Sequence, residues 1–287
     1  MRDQADQLRQ LVHQTVKARP TLELGVPLVV VSGGQAGVGA TTVALQLVEE
    51  LALLGQRAVL VDAHLQQPDV AARCGLEVRD GLAEVLNGNR SAVEVLRPWG
   101  ESIQLLPGRW TPNSPPEMSR AAIHRLLTEL RTLDADVVIV DAGHGMSPWA
   151  QHFWKIANQV LLITTTDPAA VMDSYAAVKL APRAEVDGKV RLVVNRCDDR
   201  PLAQRVGNRF AATCRRFLDM HVTLASAVAC REQRAAMTHA RRRTTVDHSA
   251  FGQSMRLLAA EVISSSLVAS EHSQSRQRRS ETSLPAA

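Results

Sequence analysis

Residues Ser32 to Thr42 read SGGQAGVGATT. From Gly34 to Thr41 they fit the G-x-x-x-x-G-K-[ST] spacing of a phosphate-binding loop, except that Ala40 stands where the pattern has lysine. Gly34, Gly37 and Gly39 let the backbone curl so that its amides face inward. A helix starting behind the loop adds its dipole, so an anion site survives without a side-chain charge. The Thr41 hydroxyl is positioned to ligate Mg²⁺. The bland alternative is a glycine-rich strand-to-helix turn that holds nothing. A charge-assisted hydrogen bond contributes roughly 1.5–3 kcal/mol. At 1.4 kcal/mol per decade, an absent lysine weakens the grip on β- and γ-phosphates about tenfold or more. It also removes a charge that offsets the negative charge developing on a transferring phosphoryl group.

Such a loop needs a strand before it and a helix after it, and the surrounding pattern supplies both. Strands are expected at 28–32, 57–62, 103–106, 136–141, 159–165, 190–195 and 221–226. Helices are expected near 40–54, 118–133, 147–157, 168–180, 200–217 and 246–267. Short apolar runs such as ADVVIVDAG and QVLLITTT do not alternate with polar residues. They read as parallel strands buried on both faces. The alternation of strand and helix predicts an α/β fold, a doubly wound, mostly parallel sheet with helices on both faces. Residues 1–19 form an amphipathic helix pattern, with Ala5, Leu8, Val12 and Val16 on one face. Residues 20–27 read as a linker and 28–268 as one domain. Residues 269–287 are polar and without periodicity, the pattern of a disordered tail.

Composition narrows the classes. The chain has 287 residues, 45% hydrophobic and only 3% aromatic, so its core must be aliphatic. The net charge of +4 is too small to argue for nucleic-acid binding. Lysine occurs only at positions 17, 155, 179 and 189, and arginine supplies the other basic residues, as a GC-rich genome would favour. Cys74, Cys197, Cys214 and Cys230 lack metal-ligand spacing and fit a reduced, cytoplasmic setting. The first residues are polar and unlike a signal peptide, and no apolar run is long enough to span a bilayer.

The loop resembles the deviant Walker A motif of the MinD/ParA family, usually K-G-G-V-G-K-T-T. On that alignment Gln35 replaces the signature lysine that reaches a dimer partner's nucleotide, and Ala40 replaces the P-loop lysine. RAVLVDAHLQQPD resembles the second strand and switch I, which usually ends D-x-D. Asp62 matches the first aspartate, and His64 takes the place of the second, which orients the attacking water. ADVVIVDAGHGMSP resembles Walker B and switch II, with Asp141 and Gly145 in place, and Asn195 in LVVNRC matches an adenine-reading asparagine. The resemblance covers about residues 28–265. It implies nucleotide contacts at Gly34, Gln35, Gly37, Val38, Gly39, Ala40, Thr41, Thr42 and Asn195. It implies a Mg²⁺ site at Thr41, Asp62 and Asp141, with ATP or ADP as cofactor. With Gln35, Ala40 and His64 substituted, no catalytic residue is assigned and ATP hydrolysis is expected to be weak or absent.

Within that family, DQADQLRQL at 3–11 resembles the D-Q-A-x-x-L-R activator helix of the flagellar number regulators (FlhG, FleN, YlxH). The resemblance implies partner contacts through Asp3, Gln4, Ala5, Leu8 and Arg9. The implied partners are an FlhF-type SRP GTPase and flagellar basal-body proteins. Location would be cytoplasmic, or peripheral at the inner membrane or cell pole. Lysine-poor loops also occur in polar scaffolds of the pilus (CpaE/TadZ) and cellulose (BcsQ) types. VDAHLQQPDVAARCGLEVRDGLAEVLNGN, followed by LLPG and PNSPPE, also strongly resembles the bacterial tyrosine kinases, but Tyr175 is the only tyrosine, so the tyrosine cluster that autophosphorylation needs is absent and autokinase activity is not expected. His64 and His144 suggest a metal, but no third ligand has helpful spacing. Trp149, Phe153 and Trp154 fit either core packing or a partner surface. Phe251, Met255, Leu258 and Val262 fit core packing better than membrane contact.

Overall fold

The structure, a computed structural model, describes residues 25–113, 115–230 and 247–281, with side chains to Ser265 in the last segment. The expected 1–19 helix, with Asp3, Gln4, Ala5, Leu8 and Arg9, lies outside the described residues, as do most of the 20–27 linker and residues 282–287. Among the described residues there are eight strands: β1 (Leu28–Gly33), β2 (Ala58–Asp62), β3 (Arg97–Pro98), β4 (Ile103–Leu106), β5 (Val137–His144), β6 (Gln159–Thr164), β7 (Val190–Val194) and β8 (Val222–Ala227). They form one sheet in the order β3-β4-β2-β5-β1-β6-β7-β8. Every pairing is parallel except the short β3 edge, which runs antiparallel to β4. The doubly wound, mostly parallel sheet expected from the sequence is therefore present.

The helices are α1 (Ala40–Leu53), α2 (Val70–Arg73), α3 (Leu82–Leu86), α4 (Ala92–Val95), α5 (Arg120–Arg131), α6 (Pro148–Ile156), α7 (Pro168–Leu180), α8 (Arg183–Val186), α9 (Arg200–Leu218) and α10 (Ala250–Glu281). Four of them start at legible caps. Ser119, Ser147, Asp167 and Asp199 each accept a backbone N–H three residues on, at 2.9–3.1 Å. Proline follows at 148, 168 and 201 within the first turn, where its missing N–H leaves nothing unsatisfied. α1 differs. Its N-cap is Gly39 at φ 94, with no side-chain cap bond, so its first amides are not taken up by a side chain.

The two faces of the sheet bury separate cores, because successive strand residues point to opposite sides. On β1, Leu28 and Val30 join one apolar cluster, and Val29 and Val31 join the other. The first cluster gathers α3 to α6 and α9. The second gathers α1 and α10, where Phe251, Met255, Leu258 and Val262 pack against Val43, Leu47 and Leu51. The expected face of the C-terminal helix is thus core. The same holds for Trp149, Phe153 and Trp154, which are at most 4% exposed. Of the two readings of that aromatic group, core packing is the one realised.

The structure departs from the sequence reading in two ways. The short elements β3, α2, α3, α4 and α8 escaped it because two to five residues show no period. α10 runs on to Glu281, past the domain boundary at 268. Periodicity reports burial, whereas a helix satisfies its own backbone with polar residues too, so loss of the pattern at 269 did not mark the helix end. Among the described residues no helix is long and apolar enough to cross a membrane.

Candidate functional site at the glycine loop

In an open α/β sheet, ligands bind beyond the carboxyl ends of the strands, and here those ends carry the motif residues. β1 passes into the loop Gly34–Gly39 and then α1. Val43 N–H donates to Gly39 O at 2.9 Å to open the helix, and Gly145 N–H donates to Gly33 O at 2.9 Å, tying switch II to the loop. Gly39 is required twice over. Its φ of 94° is in the left-handed region, and a Cβ there would lie 2.5 Å from Asn195 Nδ2.

The loop opens on a cavity of about 360 Å³. Gln35, Gly37, Val38, Gly39, Ala40, Thr41 and Thr42 line it, and so does His64. Gly34 is instead wedged against α7, where an added Cβ would meet the Ser174 backbone at 2.4 Å. Ala40 is 7% exposed and belongs to the α1 core cluster, so the lysine position is occupied by a methyl group packed inward.

Asp62 and Asp141 are paired across β2 and β5, as their places in the motifs require. Both are buried. Burial, and then the charge of Asp141, push the Asp62 carboxyl up to about 8. Burial pushes Asp141 up to about 6, opposed by the Thr41 hydroxyl and the Gly143 amide. Gly143 N–H donates to Asp141 Oδ1 at 3.0 Å, while Asp141 Oδ2 has no partner. An unpartnered, fully buried carboxylate oxygen beside a threonine hydroxyl fits a hard divalent cation. Asp62 is turned differently. Its Oδ1 accepts from His64 N–H at 3.3 Å and its Oδ2 from Val70 N–H at 3.2 Å, so it ties α2 and the 63–70 loop to the sheet.

His64 follows β2 by two residues and lines the cavity. Its ring lies so close to Gly143 that a Cβ there would be 2.2 Å from His64 Cδ2. It meets the His144 ring edge-on, with centroids 5.0 Å apart. Burial lowers the pKa of both imidazoles, which keeps them neutral at pH 7. His64 Nε2 is buried without a partner. Among the described residues no three His, Cys, Asp or Glu side chains form a group suited to a metal. Asn195, 5% exposed, donates from Nδ2 to Val38 O at 2.7 Å and accepts Arg196 N–H at 2.9 Å. Both ends of its carboxamide are engaged by the backbone around the loop.

The motif reading missed Gln67, Asp69, Arg73, Gly143 and Arg196, which line the same cavity. The signal for Arg196 was its place directly after Asn195. Asp69 and Arg73 lie four apart, a helical ion-pair spacing. A larger cavity of about 630 Å³, bounded by Asp62, Pro68, Gly108, Arg109 and Trp110 among others, includes no part of the glycine loop.

No family model matches the chain. Over 198 residues it is 28% identical to the antiactivator FleN of Pseudomonas aeruginosa, covering 68% of this chain and 70% of FleN. Over 173 residues it is 28% identical to the septum site-determining protein MinD of Bacillus subtilis, covering 58% of this chain and 64% of that protein, which is less than two thirds of it. Among solved structures, MinD from Pyrococcus horikoshii complexed with Mg-ADP matches with a TM-score of 0.62 at 18% identity, over 83% of this chain and 96% of that one. At that identity the likeness establishes the fold, that of the MinD-like P-loop proteins.

Proposed function

We propose, from the premise that this chain is a member of the MinD/ParA superfamily of P-loop proteins, that it regulates flagellar number or placement with little or no ATP hydrolysis of its own. The observation that carries the weak-hydrolysis part is the cavity itself. Gln35, Ala40 and His64 line it, and none of them supplies the cation or carboxylate that phosphoryl transfer needs. What remains suits holding rather than cleaving. Loop amides and the uncapped start of α1 bind phosphate oxygens. Thr41 and Asp141, with Asp62 nearby, would hold Mg²⁺, which when bound neutralises polyphosphate charge. Asn195 fixes the loop through Val38 O, and the neutral His64 ring fills the position of the water-orienting group.

The flagellar part draws on two supports: the similarity to FleN and the DQADQLRQL pattern at 3–11. An amphipathic helix presenting Asp3, Gln4 and Arg9 beside Ala5 and Leu8 can dock in a groove of an FlhF-type SRP GTPase. Gln4 offers both a donor and an acceptor, which suits ordering a water or a catalytic side chain at the partner's phosphate. That role needs no ATP chemistry in the activator. The test is GTP turnover by the cognate FlhF-type GTPase, with the full chain and with a peptide of residues 1–19. Stimulation by both, lost in Gln4→Ala, is expected. If neither stimulates, the polar-scaffold reading of lysine-poor loops (pilus or cellulose type) replaces this one.

A further inference from the structure

The glycine-loop cavity has lost both lysines of its motif, yet it is not without positive charge. Two arginines line it, and neither belongs to the loop: Arg73, at the end of α2, and Arg196, two residues beyond the end of β7. We infer that these two side chains form a clamp from outside the loop, supplying to the phosphates of a bound nucleoside polyphosphate the charge that Gln35 and Ala40 no longer give. The inference rests on the nucleotide-holding part of the function proposed above and names the residues that make it work.

Arg73 is pre-positioned. Its Nε and one Nη each lie 2.6 Å from Asp69 Oδ2, an i,i+4 pair on α2. α2 itself is pinned at its first residue, because Val70 N–H donates to the buried Asp62 carboxylate at the end of β2. A guanidinium has five donors in a rigid fork, so the Asp69 contact fixes its direction and leaves donors for a ligand. Asp69 also faces the cavity and partly offsets this charge. The charged side chains that line the cavity are therefore Asp69, Arg73 and Arg196. The surplus of one positive charge comes from Arg196.

Arg196 is held in an uncommon way. Its φ is +55°, a region that L residues adopt rarely and that glycine or asparagine fill at less strain. The adjoining Asn195 sustains it by accepting the Arg196 N–H at 2.9 Å, while its Nδ2 donates to Val38 O at 2.7 Å. A continuous chain of hydrogen bonds thus fixes Arg196 relative to the glycine loop. The position keeps a strained arginine at the cavity rim, and backbone strain of this kind concentrates at functional sites. Arginine suits the task. Its planar fork binds phosphate in two-point fashion, and several donors can replace the single point charge of a lysine.

The experiment is Mg-ADP and Mg-ATP binding by calorimetry to the full chain, with Arg73→Gln, Arg73→Lys, Arg196→Gly, Arg196→Lys and the Arg73→Gln/Arg196→Gly double variant. Each neutral variant is expected to weaken ADP binding about tenfold, the loss of one charge-assisted contact, and the double variant further. Each lysine variant keeps the charge but not the fork, so it is expected to lose clearly less affinity than the neutral variant at the same position while falling short of the parent chain. Arg196→Gly relieves the positive φ, so it should melt no lower than the parent chain while binding worse, which separates charge from folding. If the parent chain binds ADP and the double variant binds it equally, the clamp is wrong and the nucleotide reading stands. If the neutral and lysine variants lose affinity alike, the side chains act through shape and the clamp is again wrong. If the parent chain binds neither nucleotide, the clamp and the nucleotide reading fall together.

Discussion

Restoring the missing groups in the loop and switch I tests the chemistry most directly. The perturbation is Ala40→Lys with His64→Asp, made singly and together. Ala40 sits at the first position of α1, its methyl 7% exposed and its neighbours the cavity-lining Gly39 and Thr41. A lysine there has an aliphatic stem that can lie along the apolar cluster and an ammonium that can reach the cavity. His64 is half-buried against Gly143 with Nε2 unpartnered. The shorter aspartate relieves that approach and restores a carboxylate to the switch I position. A charge-assisted hydrogen bond is worth roughly 1.5–3 kcal/mol, or about 10- to 100-fold per group at 1.4 kcal/mol per decade. Ala40→Lys should therefore tighten Mg-ADP by at least about tenfold and also raise turnover, since the added charge acts on the ground state and on the transferring phosphoryl group. His64→Asp should leave ADP affinity nearly unchanged and act only on turnover. The double variant should exceed either single variant, with coupling between the two because they act on one reacting phosphate. The assay is phosphate release at saturating Mg-ATP, alongside calorimetry. Turnover in the parent chain equal to that of the double variant would refute the reasoning. So would an Ala40→Lys variant with unchanged affinity and unchanged rate.

Three further outcomes follow from other parts of the molecule. Gln35 is neutral where a nucleotide-sandwich dimer needs a cation reaching across, so sedimentation with and without Mg-ATP should show no ATP-driven dimer, and a clear shift would count against this. Cys230 is exposed while Cys197 and Cys214 are buried, and burial pushes the Cys214 thiol up to about 11. Thiol titration of the folded chain at pH 8 should accordingly label Cys230 first and leave Cys214 untouched until denaturant is added. Hydrogen bonds from the Arg57 side chain and amide hold the Asp136 carboxyl near 2, below its ordinary value. A depressed carboxylate contributes stability above its unfolded pKa and loses it as pH falls through the folded one. Asp136→Asn should therefore lower the melting temperature by only a little at pH 7, because the pair is largely exposed. Its difference from the parent chain should shrink as pH falls from about 4 toward 2; a gap that persists to pH 3 undiminished would be inconsistent with that pair.

The central sheet was legible because its strands are buried on both faces. The run VVIVDAG at 137–143 cannot be a solvated strand or a surface helix, and the neighbouring β1 and, beyond it, β6 read the same way. The helix starts were legible where a cap and a proline coincide, at Ser147-Pro148 and Asp167-Pro168. The juxtaposition of Asp62 and Asp141 was legible because each directly follows a run of apolar strand residues, and parallel pairing in register then brings them side by side. Arg73 and Arg196 were not placed, for a physical reason. Their place at the cavity depends on the course of the four-residue α2 and of the turn after β7, and neither feature has a period or a side-chain cap. The left-handed backbone at Arg196 leaves no mark in the residue type, since glycine or asparagine is what such a φ predicts.

That distinction bears on how a P-loop can shed its lysines and keep its shape. The features that fix the loop are structural: the left-handed Gly39, the Gly34 contact with Ser174, the Asn195 bond to Val38 O and the Gly145 bond to Gly33 O. None of them involves positions 35, 40 or 64. Replacing Lys by Ala at position 40 adds a methyl to an apolar cluster that already contains Val38, Val43 and Ala44, so folding is not penalised. The site's geometry and its catalytic charge are thus separable. The first is written into backbone contacts between β1, β5, β7 and α7. The second would reside in the side chains at positions 35, 40 and 64, which take no part in those contacts, and the buried Asp62 and Asp141 stay paired in register beside the loop.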